Sequence, residues 1–328
     1  MRKEHRNLLL RVVGTALLLA AIGWLIDLRE AFATLRQMTL VAMVAVVVLS
    51  VISWSVGILK WKLVLQSVTL RELAKFYFIG MFYGLVLPGQ LAGEAVKTVR
   101  LASGHGLGRV GASVLLDRLT GMIGLGIVSG AGLLLSRSYN ALFQVMGTLI
   151  CLVTIAFTLV LFAIRAPWVL RLAIRFSLWL KARGGWLRKA GAATRRFASV
   201  WRTHARDVRL MTTSVMVGVI FQLLNVAIVW VIAWGIGVPL SFGDAAWSLG
   251  IVLVATLLPI AFGGFGVREL SFVAVLGLIG VPAAQALSIS IACSLVTLLG
   301  ALPGVFFELG WLEGPEVSAR LRRRTSHA

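Results

Sequence analysis

Between residues 210 and 307 the chain carries only three charged residues, Asp244, Arg268 and Glu269. A helix needs roughly 20 apolar residues to cross the hydrocarbon core of a bilayer, so this stretch must lie in lipid or pack against other spans. Barrel strands would alternate apolar and polar residues, whereas segments such as residues 41–49 are apolar on every side. With 59% hydrophobic and 13% charged residues and a mean hydropathy of +0.95, the rest of the chain reads the same way. The expected fold class is therefore an all-α polytopic membrane protein, a single integral membrane domain over residues 1–328.

Charge distribution orients it. The net charge of +20 would suggest nucleic acid as the partner of a soluble protein, but twelve of the 32 Lys and Arg fall between Arg165 and Arg209, against one acid, Asp207. That is the look of a cytoplasmic loop under the positive-inside rule. Nucleic acid is thus excluded, and anionic lipid headgroups are the expected counter-charge. Trp168, Phe176, Trp179, Trp186, Phe197 and Trp201 are interleaved with the bases, as in an amphipathic segment lying on a leaflet. Cys151 and Cys293 lie in apolar runs with neither a disulfide framework nor a metal-ligand spacing.

The pattern predicts six full spans and two re-entrant hairpins. The first span ends near Ile26 after a basic start at Arg2, Lys3, Arg6 and Arg11. A signal peptide cleaved near Ala31-Phe32-Ala33 fits the later charge parity less well. A second span over 40–59 returns to the cytoplasm at Lys60 and Lys62, and the external link before it has just two bases, Arg29 and Arg36. Residues 76–101 are broken by Pro88-Gly89 and Gly93; at about 1.5 Å per residue, 76–87 rises roughly 18 Å, enough to enter the membrane but not to cross it. Spans follow over 110–135 and 141–164, then the basic loop at 165–209, then a span over 210–236. A second broken segment, 245–276, turns at Pro259, Gly263 and Gly264, and a final span over 283–307 brings Arg320, Arg322, Arg323 and Arg324 inside. Both termini are expected to be cytoplasmic, in a bacterial inner (plasma) membrane.

Placing Pro88 over Pro259 aligns Gly93 with Gly264 and Lys97 with Arg268. With the first hairpin entering from inside and the second from outside, residues 40–135 and 210–308 form an inverted repeat, an architecture of secondary transporters that bind substrate at the repeat interface.

Glu94, Lys97, Asp117, Arg118, Arg268 and Glu269 are then the ionisable residues in embedded segments. An unpartnered charge there costs roughly 2.5–3.5 kcal/mol on insertion scales, so each needs a partner or a wet cavity. One reading is mutual neutralisation, Asp117 with Arg118 or Arg268 and Glu269 with Lys97. The functional reading is a phosphate site. Pro88, Gly89, Gln90 and Gly263-Gly264 precede the second hairpin halves, whose free backbone N–H groups favour anions. Lys97 and Arg268 would add charge, Arg268 with the more specific bidentate geometry. Glu94 and Glu269 would hold those bases or exchange protons, and Arg100 lies one turn beyond Lys97. His105 is the one histidine near this region, and no HExxH, Walker or GxSxG pattern occurs, so no enzyme active site, cofactor or metal is expected.

Three motifs resemble a known family: residues 82–97 (FYGLVLPGQLAGEAVK), 112–118 (ASVLLDR) and 263–269 (GGFGVRE) look like the transmembrane, flippase-like domain of lysylphosphatidylglycerol synthases. The likeness spans the membrane region and implies lipid movement between leaflets: of aminoacylated phosphatidylglycerol in the family, of polyprenyl-phosphate carriers in relatives. The first motif departs from the family's Asp and Arg, having Glu94 and Lys97, and the soluble aminoacyl-transferase domain has no counterpart. The expected function is an ATP-independent lipid translocase for an anionic or aminoacylated phospholipid or a polyprenyl phosphate, with a homo-oligomer compatible. The alternatives are a membrane glycosyl- or phospho-transferase acting on a lipid carrier, and an assembly factor that transports nothing.

Overall fold

The computed structural model describes residues 28–87, 91–136, 141–163, 207–257 and 264–309, with residues 171, 172, 175, 178 and 201 between them. The expected first span, most of the basic loop, the C-terminal arginines and the hairpin tips at Pro88, Gly89, Gln90, Pro259 and Gly263 lie outside the described residues. Among the described residues every regular element is an α-helix: α1 (Leu28–Arg36), α2 (Leu40–Val64), α3 (Leu70–Val86), α4 (Leu91–His105), α5 (Leu107–Leu135), α6 (Ala141–Ala163), α7 (Val208–Gly235), α8 (Phe242–Thr256), α9 (Val267–Gly277) and α10 (Ala283–Glu308).

Side-chain oxygens open four of these helices. Thr39, Thr69, Asp207 and Ser241 each accept a hydrogen bond from the backbone N–H three residues on, satisfying a donor that the helix itself leaves free. Among the described residues four helices, α2, α5, α7 and α10, are long and apolar enough to cross a membrane, and shorter apolar stretches cover Val145–Leu161 in α6 and Phe242–Thr256 in α8. Their outward faces stay apolar: Val41, Val44, Val48 and Val51 on α2 and Leu295, Leu298, Leu299 and Leu302 on α10 are all exposed. A band of that extent is what lipid, not water, solvates.

Two expectations need correction. The external link before α2 contains a helix, α1, seated on α10: Ala31 is fully buried and its carbonyl accepts the Ser288 hydroxyl at 2.8 Å. The second span does not stop at Leu59. Trp61, Val64 and Leu65 continue its buried face, so α2 runs on to Val64 and draws Lys60 into the protein.

The N-terminus of α2 meets the C-terminus of α7, where the Thr39 amide donates to the Gly235 carbonyl at 3.3 Å, so the two helices are antiparallel. At that same end α5 finishes against the start of α8, with the Ser136 hydroxyl donating to Asp244. At the opposite end α10 finishes beside α3 and α4, where Arg100 and Tyr83 bond Glu308. Both crossings are close. A Cβ on Gly304 would stand 2.2 Å from the Phe78 carbonyl oxygen, and one on Gly93, where α4 crosses α3, 2.1 Å from that of Gly80. Small residues at such crossings let helix backbones approach in lipid. Gly264 and Gly266, in contrast, shape a turn, with φ of +80° and +84° that side-chain-bearing residues rarely adopt. Gly93 and Gly264, which share an offset in the sequence repeat, therefore serve different ends.

Candidate functional site

The helices converge on one cavity of about 370 Å³. α2 contributes Lys60, α3 Tyr77, α4 Glu94 and Lys97, α5 Asp117 and Arg118, α7 Gln222 and Asn225, α9 Arg268 and α10 Thr297. Residues from both sequence halves, and from the second halves of both broken segments, thus face a single space.

Its charges are paired, but not as the sequence suggested. Glu94 is held on both oxygens, by the Lys97 ammonium at 2.7 Å and by the Arg118 guanidinium at 2.6 Å. Asp117 pairs with Lys60 at 2.9 Å rather than with Arg118 or Arg268, and the same ammonium also reaches the Asp117 carbonyl. Lys97 is buried and lies 4.6 Å from the centre of the Trp61 ring and 5.8 Å from that of Tyr77. Trp61 is in turn fixed by donating its indole N–H to Ser113 at 3.2 Å.

Arg268 is differently placed. Its guanidinium donates to the neutral hydroxyls of Ser294 at 2.6 Å and Thr297 at 3.3 Å, and its buried Nε has no hydrogen-bond partner. The nearest carboxylate is Glu269, 3.6 Å away, which does not pair with Lys97. Glu269 does not line the cavity; it accepts from the Gly266 N–H and from Ser294, and so occupies the N-terminus of α9 that was expected to offer free donors. Arg268 stands in the first turn of α9, whereas Lys97 lies nearly two turns into α4.

Of the other sequence candidates, Arg100 points away, to Glu308 and Tyr83 at the exposed edge of the molecule. Gly93 and Gly264 shape the backbone and are not among the cavity's lining residues. Sequence reasoning missed Lys60, Gln222, Asn225 and the Trp61–Tyr77 recess. The apolar residues that continue past Lys60 were the available signal for the first of these, since they extend the helix that carries it. Gln222 donates to the Gly121 carbonyl at 3.3 Å, while its buried side-chain oxygen has no partner.

Four cations and two carboxylates line the cavity, and the carboxylates are engaged by three of those cations. The fourth cation, Arg268, has no carboxylate partner within the lining, which suits an anion.

No curated protein and no solved structure matches the chain. The family described as lysylphosphatidylglycerol synthase TM region matches residues 10–304, nearly the whole length and all of the cavity's lining, so the chain belongs to that family of multi-pass membrane proteins with a lipid-related role.

Proposed function

We propose that this protein moves a phosphate-bearing lipid between leaflets without ATP, the phosphate resting in the cavity against Arg268, with Lys97 and Arg118 as further cations. The carrying observation is the cavity to which both sequence halves bring cationic side chains, one of them, Arg268, hydrogen-bonded to neutral hydroxyls and 3.6 Å from Glu269, a carboxylate outside the lining. A phosphate there gains charge-assisted bonds in a medium that screens little.

The arrangement follows as six spans and two hairpins inserted from opposite sides. Its support is the exchange pattern of the packing: α10 lies on α3 as α5 lies on α8, and α2 runs antiparallel to α7. Repeats related in that way allow alternating access by rocking one bundle against the other. Positive charge after α6 and at the C-terminus supports an orientation with the Arg100–Glu308 end of the molecule on the cytoplasmic side of a bacterial plasma membrane.

Reconstitution in liposomes with a leaflet-specific assay of phosphatidylglycerol tests the function. Arg268→Ala is expected to slow movement by about 100-fold and Lys97→Ala by about tenfold, the larger loss falling on the bidentate group. Variants that move lipid as fast as the parent would remove the phosphate role.

A further inference from the structure

Recognition of an organic ammonium in a protein uses carboxylates and aromatic faces. This cavity has both, and its carboxylates, with the Trp61 and Tyr77 faces beside Glu94, are taken by the protein itself. The Lys97 ammonium sits 2.7 Å from Glu94 and against the Trp61 and Tyr77 rings. The second Glu94 oxygen belongs to Arg118, Asp117 is engaged by Lys60, and Glu269 is turned to Gly266 and Ser294 outside the lining. Even with Glu269 counted beside Arg268, the four cations leave one positive charge in excess.

The geometry points to Lys97 as a specificity-determining residue: its own ammonium fills the slot that a headgroup amine would need, so the cavity takes phosphate esters without an amine and rejects ethanolamine and aminoacyl headgroups. The inference rests on reading the cavity as a headgroup site, and narrows that reading to one substrate class. An incoming amine must share Glu94 with Lys97 and Arg118, a like-charge contact that disfavours the wrong lipid without any loss of contacts to the right one. The anionic phosphate itself meets Arg268, whose two terminal nitrogens are otherwise held by the Ser294 and Thr297 hydroxyls. A phosphodiester such as phosphatidylglycerol and a phosphomonoester such as a polyprenyl phosphate share this chemistry.

Equilibrium binding to the purified full-length protein in detergent, read by tryptophan fluorescence, tests it with four water-soluble probes: dihexanoyl phosphatidylglycerol, farnesyl phosphate, dihexanoyl phosphatidylethanolamine and dihexanoyl lysylphosphatidylglycerol. At least one amine-free probe is expected to bind the parent about tenfold or more tighter than either amine-bearing probe, and which one does so separates the diester from the monoester. Lys97→Met keeps an unbranched side chain against the Trp61 ring and frees one Glu94 oxygen. It should narrow the preference about tenfold by strengthening the amine-bearing probes, whereas Lys97→Arg should keep it. Equal binding of all four probes to the parent, no binding of any, or a Lys97→Met protein with an unchanged ratio would each overturn the inference. The two readings separate cleanly. A binding preference with no lipid moved in liposomes sinks translocation and leaves the specificity intact, while movement of every lipid with no binding preference does the reverse.

Discussion

Taking the Lys60 ammonium out of water is costly, and Asp117 offsets that cost through its carboxylate at 2.9 Å and its carbonyl oxygen. Removing one partner strands the other. Lys60→Met should therefore lower stability by about 3–5 kcal/mol, and the Lys60→Met/Asp117→Asn double variant should recover most of it, because no buried charge is then left alone. Thermal unfolding in detergent measures both, and a single variant as stable as the parent would show that the pair contributes nothing. This pair was hidden in the sequence for a physical reason. A base after twenty apolar residues has the same look whether it ends a span at the headgroups or continues it into a core, and its acid lies 57 residues away. The other embedded charges, Glu94, Lys97, Asp117, Arg118, Arg268 and Glu269, were legible, since any such residue demands a partner. Their pairing was not, because it depends on how α2, α4 and α5 are rotated about their axes.

Among the elements, the crossing of α3 and α4 is set by backbone contact. The Cβ of Gly93→Ala would come 2.1 Å from the Gly80 carbonyl oxygen and 2.7 Å from the Gly84 nitrogen, atoms that cannot swing aside. The two halves must separate, at a cost of roughly 1–3 kcal/mol or more, and Lys97, one turn along α4, moves with them. Gly130→Ala on α5 meets nothing within 4 Å and should be neutral or slightly stabilising through its helix propensity. A thermal scan of the two variants side by side checks the contrast, and equal behaviour would refute it. Element boundaries were largely readable: apolar length located α5, α7 and α10 to within three residues, and Pro88 and Pro259 fall between α3 and α4 and between α8 and α9. The start of α3 at Leu70 and the existence of α1 escaped notice, because both are short amphipathic turns whose polar residues resemble a loop until a neighbouring helix covers their other side.

For the whole molecule, the antiparallel α2 and α7 tie orientation to a simple test. Gln37, just before α2, and Ser67, just after it, are both exposed and flank a 25-residue helix. In a protein with Cys151 and Cys293 replaced by Ala, a membrane-impermeant maleimide added to intact cells should label Gln37→Cys and not Ser67→Cys, and inside-out vesicles should show the opposite. Labelling of both from one side would contradict the assigned direction. The opposed insertion of the two halves could be argued from charge parity alone. The common cavity could not, since nothing in a linear pattern says that α9 and α4 reach the same depth on the same side.

The double grip on Glu94 also bears on the unloaded protein. A carrier returns vacant for part of every cycle, and a pocket of bare guanidinium and ammonium groups would resist that journey through hydrocarbon. Here the lining supplies most of its own counter-ions, with Glu94 shared by two cations and Asp117 held by a third. In the proposed cycle a phosphate would be added at Arg268 beside charges that already have partners, and its departure would leave those pairs in place, so neither half of the cycle would strip those groups naked.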